Sequence, residues 1–154
     1  MRHWLLKSEP ASFGIDDLAR APRRTASWDG VRNYQARNMI RDGMQRGDQA
    51  FLYHSSCEVP GIVGTVQIVK AAYPDPTAFD RRHDHYDPDS DRAAPRWFTV
   101  DVRLERKFAR VVTLNELRAH AAKELQGLVL LRPGNRLSVM PVESAHWRFI
   151  CSLE

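Results

Sequence analysis

Three segments hold side chains whose types and spacing could do chemistry. The densest is Ser27-Trp-Asp-Gly-Val-Arg-Asn-Tyr-Gln-Ala-Arg-Asn38. Trp28 sits there in a polar stretch beside Asp29-Gly30, followed by Arg32, Asn33 and Arg37. An indole so placed either stacks on a flat partner or folds back onto the core. Arginines and an amide beside it suit the phosphate and the edge of a nucleobase. Solvated arginines around a buried indole fit the same spacing, so the spacing alone leaves both readings open.

The second segment is Tyr53-His54-Ser55-Ser56-Cys57, an imidazole, two hydroxyls and a thiol at a strand end. Nucleophilic hydrolysis calls for an elbow such as GxSxG, or a Cys with His and Asn brought from elsewhere. The chain has no GxSxG. These groups can instead hydrogen-bond a ligand without breaking a bond, or form a polar hairpin tip. An enzyme using His54 with Cys57 or Ser55 is the rival to a binding role.

The third is His83-Asp84-His85-Tyr-Asp87-Pro-Asp89-Ser-Asp91. Asp87, Asp89 and Asp91 imitate the opening of a calcium loop. Arg92 stands where that loop needs Gly, and Phe98 where it needs a bidentate Glu. His83 and His85 lack the i, i+4 spacing of a helical zinc pair. A solvated polar loop is the expectation, with no metal and no cofactor. Neither GxGxxG nor GxxxxGK[ST] occurs, so those nucleotide-cofactor motifs are unsupported.

Composition bounds the chemistry. The 154 residues suit one domain, 1–154. With 43% hydrophobic and 27% charged residues the chain is built to fold. No apolar run reaches the roughly 18 residues of a membrane helix, and the N-terminus lacks a signal-peptide pattern, so a cytoplasmic protein is expected. Cys57 and Cys151 form no CxxC pair, which fits a reducing compartment. Net charge is +4, and 19 of the 23 basic residues are arginine, the side chain suited to bidentate phosphate contact. Genomic codon bias would give the same excess. Arg23, Arg24, Arg32 and Arg37 differ from the rest in bracketing Trp28.

The elements that must position these residues follow from pattern. Trp4–Lys7 reads as a first strand, Ile15–Arg20 as a helix with Asp16 and Asp17 at its positive end, and 21–27 as a basic loop. Asn33–Met44 carries helical spacing and Gly47-Asp48 a turn. Ala50–His54 and Gly61–Ala72 read as strands joined at Val59-Pro60-Gly61, with Gly64 marking a bulge or close approach. Arg96–Phe108 alternates cleanly, with Phe98, Val100, Val102 and Leu104 on one face. Thr113-Leu-Asn-Glu116 fits a capping box, Leu137–Val142 a last strand and Glu143–Leu153 a closing helix. Trp97 and Trp147 read as packing residues, Trp97 with a minor claim to a surface contact. The fold class is α+β, a small curled mixed sheet or barrel with helices around it.

Longer strings carry a resemblance. They are Trp4-Leu-Leu-Lys-Ser-Glu-Pro10, Trp28 to Asn38, Phe51-Leu-Tyr-His-Ser55, Pro60-Gly-Ile-Val-Gly64, Ala72 to Asp80, Pro95-Arg-Trp-Phe98, Val129-Leu-Leu-Arg132 and Arg136-Leu-Ser-Val139 with Pro141. In these the chain resembles EVE-domain proteins, members of the PUA-like superfamily related to YTH domains. The resemblance implies a PUA-like curved mixed β-sheet or pseudo-barrel, no catalysis, and recognition of a modified base in DNA or RNA. On that reading Trp28 and Tyr53 are the stacking residues. Ser8, Asn33, His54, Ser55 and Ser138 serve the base edge or backbone, and Lys7, Arg32 and Arg37 meet phosphate. A small-molecule sensor using the same pocket is a further alternative.

Overall fold

Continuous apolar runs at Trp4-Leu5-Leu6 and Ala50–Tyr53 require strands covered on both faces. The computed structural model, which describes residues 1–154, builds the fold around them. Strands β1 (His3–Ser8) and β3 (Gln49–His54) lie parallel in the middle of a six-stranded sheet. The other strands are β2 (Thr25–Ser27), β4 (Gly61–Pro74), β5 (Phe98–Thr113) and β6 (Val139–Val142), in the order β2-β5-β4-β3-β1-β6. Every pairing except β1–β3 is antiparallel. The helices are α1 (Ile15–Arg20), α2 (Tyr34–Asn38), α3 (Leu114–Ala119) and α4 (Ser144–Cys151).

The strand period of two sorts the apolar residues into two cores. Leu6, Leu52 and Val139 join Ile15, Leu18, Trp28 and Val102 on one face. Their neighbours Leu5, Phe51, Tyr53 and Met140 join Leu117, Leu125, Trp147 and Ile150 on the other. Trp147 lies flat on Phe51, centroids 3.9 Å apart.

Glycine permits the curl. A Cβ on Gly64 would stand 2.4 Å from the Arg106 carbonyl and 2.6 Å from Ile15 Cδ1. The ladder shifts register around it, between Leu52 and Tyr53 on β3 and between Ile62 and Gly64 on β4. These bulges bend the long β4–β5 pair.

Several predicted elements take a different form. The basic loop contains a 3₁₀ turn, Pro22–Arg24, and the short edge strand β2, which pairs Ala26 with Val102. Arg23 and Arg24 both adopt left-handed backbone there, φ 56° and 51°. The helix expected over Asn33–Met44 is α-helical only to Asn38. A π turn, Met39–Gly43, ends it, the Met44 N–H reaching the Met39 carbonyl at 2.9 Å. The capping box is half formed: Thr113 Oγ1 accepts the Glu116 N–H, but the Glu116 carboxylate turns to Arg110. The last strand starts at Val139, because Asn135 Oδ1 accepts the Leu137 N–H and holds a turn before it. No helix is long and apolar enough to cross a membrane.

Candidate functional site

Parallel pairing brings the C-terminal ends of β1 and β3 side by side, Lys7 opposite Tyr53 and Ser8 opposite His54. The Ser55 N–H and hydroxyl both donate to the Ser8 carbonyl, at 2.9 and 3.4 Å. The Lys7 N–H donates to the Ser138 carbonyl at 2.9 Å. Six predicted residues, Lys7, Ser8, Tyr53, His54, Ser55 and Ser138, therefore meet at one end of the sheet. The Ser8 hydroxyl oxygen is buried and has no hydrogen-bond partner. A buried polar atom left unpaired has a cost of about 1–3 kcal/mol unless something visits it.

Alternation divides this group. Ser8 and His54 follow Leu6 and Leu52 by two residues and share their face with the first core. His54 Nε2 accepts the Ile15 N–H at 3.1 Å, which seats the start of α1 and puts the ring proton on Nδ1. Burial lowers the His54 pKa, with Asp16 opposing and Lys107 assisting. Lys7 and Tyr53 lie on the opposite face, and Tyr53 belongs to the second core.

The Trp28 loop closes the first face. Trp28 is 8% exposed, and its N–H donates to the Val100 carbonyl at 2.8 Å. Phe13 meets it edge-on at 6.3 Å. Phe13 belongs to the segment joining β1 to α1, so one short stretch runs from the Ser8 hydroxyl to the indole. Trp28 and Tyr53, both expected to stack on a base, lie on opposite sides of the sheet and cannot sandwich one between them. Phe13 is the aromatic neighbour of Trp28, and its place three residues beyond Pro10 of the Trp4–Pro10 string was the available signal.

Three polar assignments change on contact with the geometry. Asn33 Oδ1 accepts the Ala36 N–H at 3.0 Å and caps α2. Arg32 reaches inward to Asp75 Oδ2 at 3.0 Å, Thr77 Oγ1 at 3.2 Å and the His85 carbonyl at 2.7 Å. A guanidinium so engaged holds the loop and has little left for a phosphate. Asp75, fully buried, also accepts the Gly30 N–H at 2.9 Å and the Thr77 hydroxyl at 2.6 Å. Burial pushes the Asp75 pKa up, but these hydrogen bonds outweigh it and leave the carboxyl below its ordinary value. Gly30 lies at φ 82° with the His85 ring where a Cβ would stand. Arg37 Nη1 donates to the Arg96 carbonyl at 2.7 Å, and its guanidinium lies over Tyr34, 4.9 Å from the ring centre.

The His83–Asp91 loop is a brace. Asp87 Oδ2 accepts the Trp97 indole N–H at 2.6 Å and the Ser90 hydroxyl at 2.8 Å. No three His, Cys, Asp or Glu side chains converge as a metal site would require. Trp97, so held, is covered by Tyr34, centroids 4.8 Å apart. Tyr34 is 52% exposed and flanked by Arg37, an aromatic surface that the helical pattern gave no reason to single out. Cys57 is a free, half-exposed thiol on the strand-end turn. The Nε2 lone pair of its neighbour His54 is already committed to Ile15.

Comparison with known proteins bears on this arrangement. The EVE domain pattern matches residues 2–153. Thymocyte nuclear protein 1 of Homo sapiens is 45% identical over 166 aligned residues, covering 99% of this chain and 73% of the human one. An uncharacterised protein of Schizosaccharomyces pombe is 40% identical, covering 99% of this chain and 68% of its own. Human THYN1 in complex with DNA containing 5-methylcytosine superposes at a TM-score of 0.93 with 44% identity, covering 99% of this chain and 97% of that one. A Pseudomonas putida protein superposes at 0.92 with 47% identity, covering 98% of each. The curated relatives' names denote no enzyme.

Proposed function

Because the chain belongs to the EVE-domain family, we propose that it binds nucleic acid by taking one modified base into the first-face end of the sheet. The base is 5-methylcytosine in DNA, the modification present in the complex of the 44% identical human protein. The observation that carries the reading is the unpaired, buried Ser8 hydroxyl on the face of the sheet whose core holds Trp28 and, packed against it, Phe13. A base out of the stack needs an aromatic face and a few fixed polar groups at its edge. Trp28 is the face, and the Ser8 and Ser55 hydroxyls are the edge partners. A methyl group adds roughly 0.8 kcal/mol where it meets an apolar wall, and Phe13 with the first core supplies one.

Binding without chemistry fits the same atoms. A general base must offer a free lone pair within reach of its proton. His54 Nε2 is occupied by the Ile15 N–H, and the Ser55 hydroxyl donates to a carbonyl.

Two variants test the site. Ser8→Ala removes an edge partner common to both bases and is expected to weaken binding of methylated and unmethylated oligonucleotide alike by roughly fivefold or more, about 1–3 kcal/mol in a buried site. Trp28→Phe keeps an aromatic face and is expected to retain part of the preference. Wild-type affinity in Ser8→Ala for both oligonucleotides, measured by fluorescence anisotropy, would remove Ser8 from the site.

A further inference from the structure

On the opposite face, behind the proposed base site, a cavity of about 400 Å³ opens at the same end of the sheet. Lys7 and Tyr53 form its floor, and Arg118 and Arg132 stand at its mouth beside Asn135. No carboxylate lines it. The nearest acid on α3, Glu116, is held by both Nη atoms of Arg110 at 2.7 Å. Three cations thus converge on a concave surface with nothing of opposite charge to neutralise them. Such convergence disfavours an empty cavity and favours an anion with several oxygens.

We propose that this cavity receives a phosphate group of the bound nucleic acid, at a site separate from the base pocket. Arg118 and Arg132 grip its oxygens, and the Lys7 ammonium supplies charge from the floor. Lys7 stands 5.8 Å above the Tyr53 ring, and burial lowers its pKa, the state of an ammonium that lacks a counter-charge. Ser8 and Lys7 are consecutive residues pointing to opposite faces. A strand crossing this end of the sheet can therefore leave a base on one face and a phosphate on the other. Only the identity of the phosphate's carrier rests on the nucleic-acid reading; the anion site itself does not.

The test uses the full chain. Arg118→Gln with Arg132→Gln alters two exposed side chains that make no hydrogen bond or ion pair within the chain, so the fold should persist. Binding of methylated and unmethylated oligonucleotides is measured across a salt series. The double variant is expected to bind both at least roughly tenfold more weakly, with the slope of log affinity on log salt shallower by about one, since one phosphate contact is lost. The ratio between the two oligonucleotides stays as in wild type. Inorganic phosphate should also shift the Tyr53 resonances of the wild type and not those of the double variant. A double variant with the wild-type salt slope overturns the proposal, whatever the methyl preference does. Loss of methyl preference in the wild type with the slope change intact overturns the base reading and leaves the phosphate site standing.

Discussion

Arg32 and Asp75 show how far residue type can mislead about role. The pair joins a fully buried carboxylate to a guanidinium that is 24% exposed. Removing one partner of a buried pair leaves the other charge without compensation, worth about 3–5 kcal/mol when both are sequestered and less with partial solvent access. Arg32→Ala is expected to lower unfolding free energy by about 2–3 kcal/mol in urea melts while leaving the salt slope of DNA binding unchanged. A shallower salt slope with unchanged stability would restore Arg32 to phosphate contact. Trp28→Ala carries a similar complication, because truncating a buried Trp costs about 3–5 kcal/mol; milder variants are needed to separate binding from folding. His54 gives a pH dependence. Burial sets its folded pKa below that of the unfolded chain, so the unfolded state takes up the proton first. Stability contributed by neutral His54 is full above about pH 6.5 and falls as pH drops from there to the folded value. Protection of the Ile15 amide from exchange, relative to its intrinsic rate at each pH, should fall as pH drops through the same window in wild type and show no such step in His54→Gln. An Ile15 amide equally protected at pH 5 and 7 would contradict it.

At the scale of elements, β1 and β3 do most to position the site. Their double burial hides the period of two, so the pattern marks them as strands without revealing which face each residue takes. That is why the sequence does not show that Tyr53 lies on the face of the sheet away from Trp28. Lys7 and Ser8 carried a readable clue, since adjacent strand residues face opposite ways. β5 was legible because only one of its faces is covered along Val100, Val102 and Leu104. Thr99, on its other face, is nevertheless fully buried, through hydrogen bonding of its hydroxyl to Ser27 on β2. β2 itself was unreadable, as three residues are too few to show a period. The π turn was hidden for another reason: Met39, Ile40 and Met44 keep helical spacing although the backbone has already widened. Gly64 was legible as a break and turns out to be a close approach of strand to helix. Gly64→Ala would drive a Cβ against the Arg106 carbonyl and is expected to destabilise by about 1–3 kcal/mol. A melting temperature within a degree of wild type would show that the sheet can relax there.

For the whole molecule, the arginine excess is spent in several ways. Many guanidinium groups sit on acids, as in Arg20–Asp17, Arg41–Asp42 and Arg110–Glu116. Exposed pairs of this kind add little stability, about 0–1 kcal/mol each. Three others stand where a ligand would pass: Arg118 and Arg132 at the cavity mouth, and Arg37 beside the exposed Tyr34. A net charge of +4 therefore understates the local field at the end of β1 and β3. The central claim is that this end of the molecule recognises a modified base. Its most direct test is the affinity of the wild-type chain for two oligonucleotides identical except for one cytosine, methylated at C5 or not, at fixed salt. Tighter binding of the methylated strand by roughly fourfold, about 0.8 kcal/mol from a methyl group against an apolar wall, is the predicted result. Equal affinities for the two would contradict it.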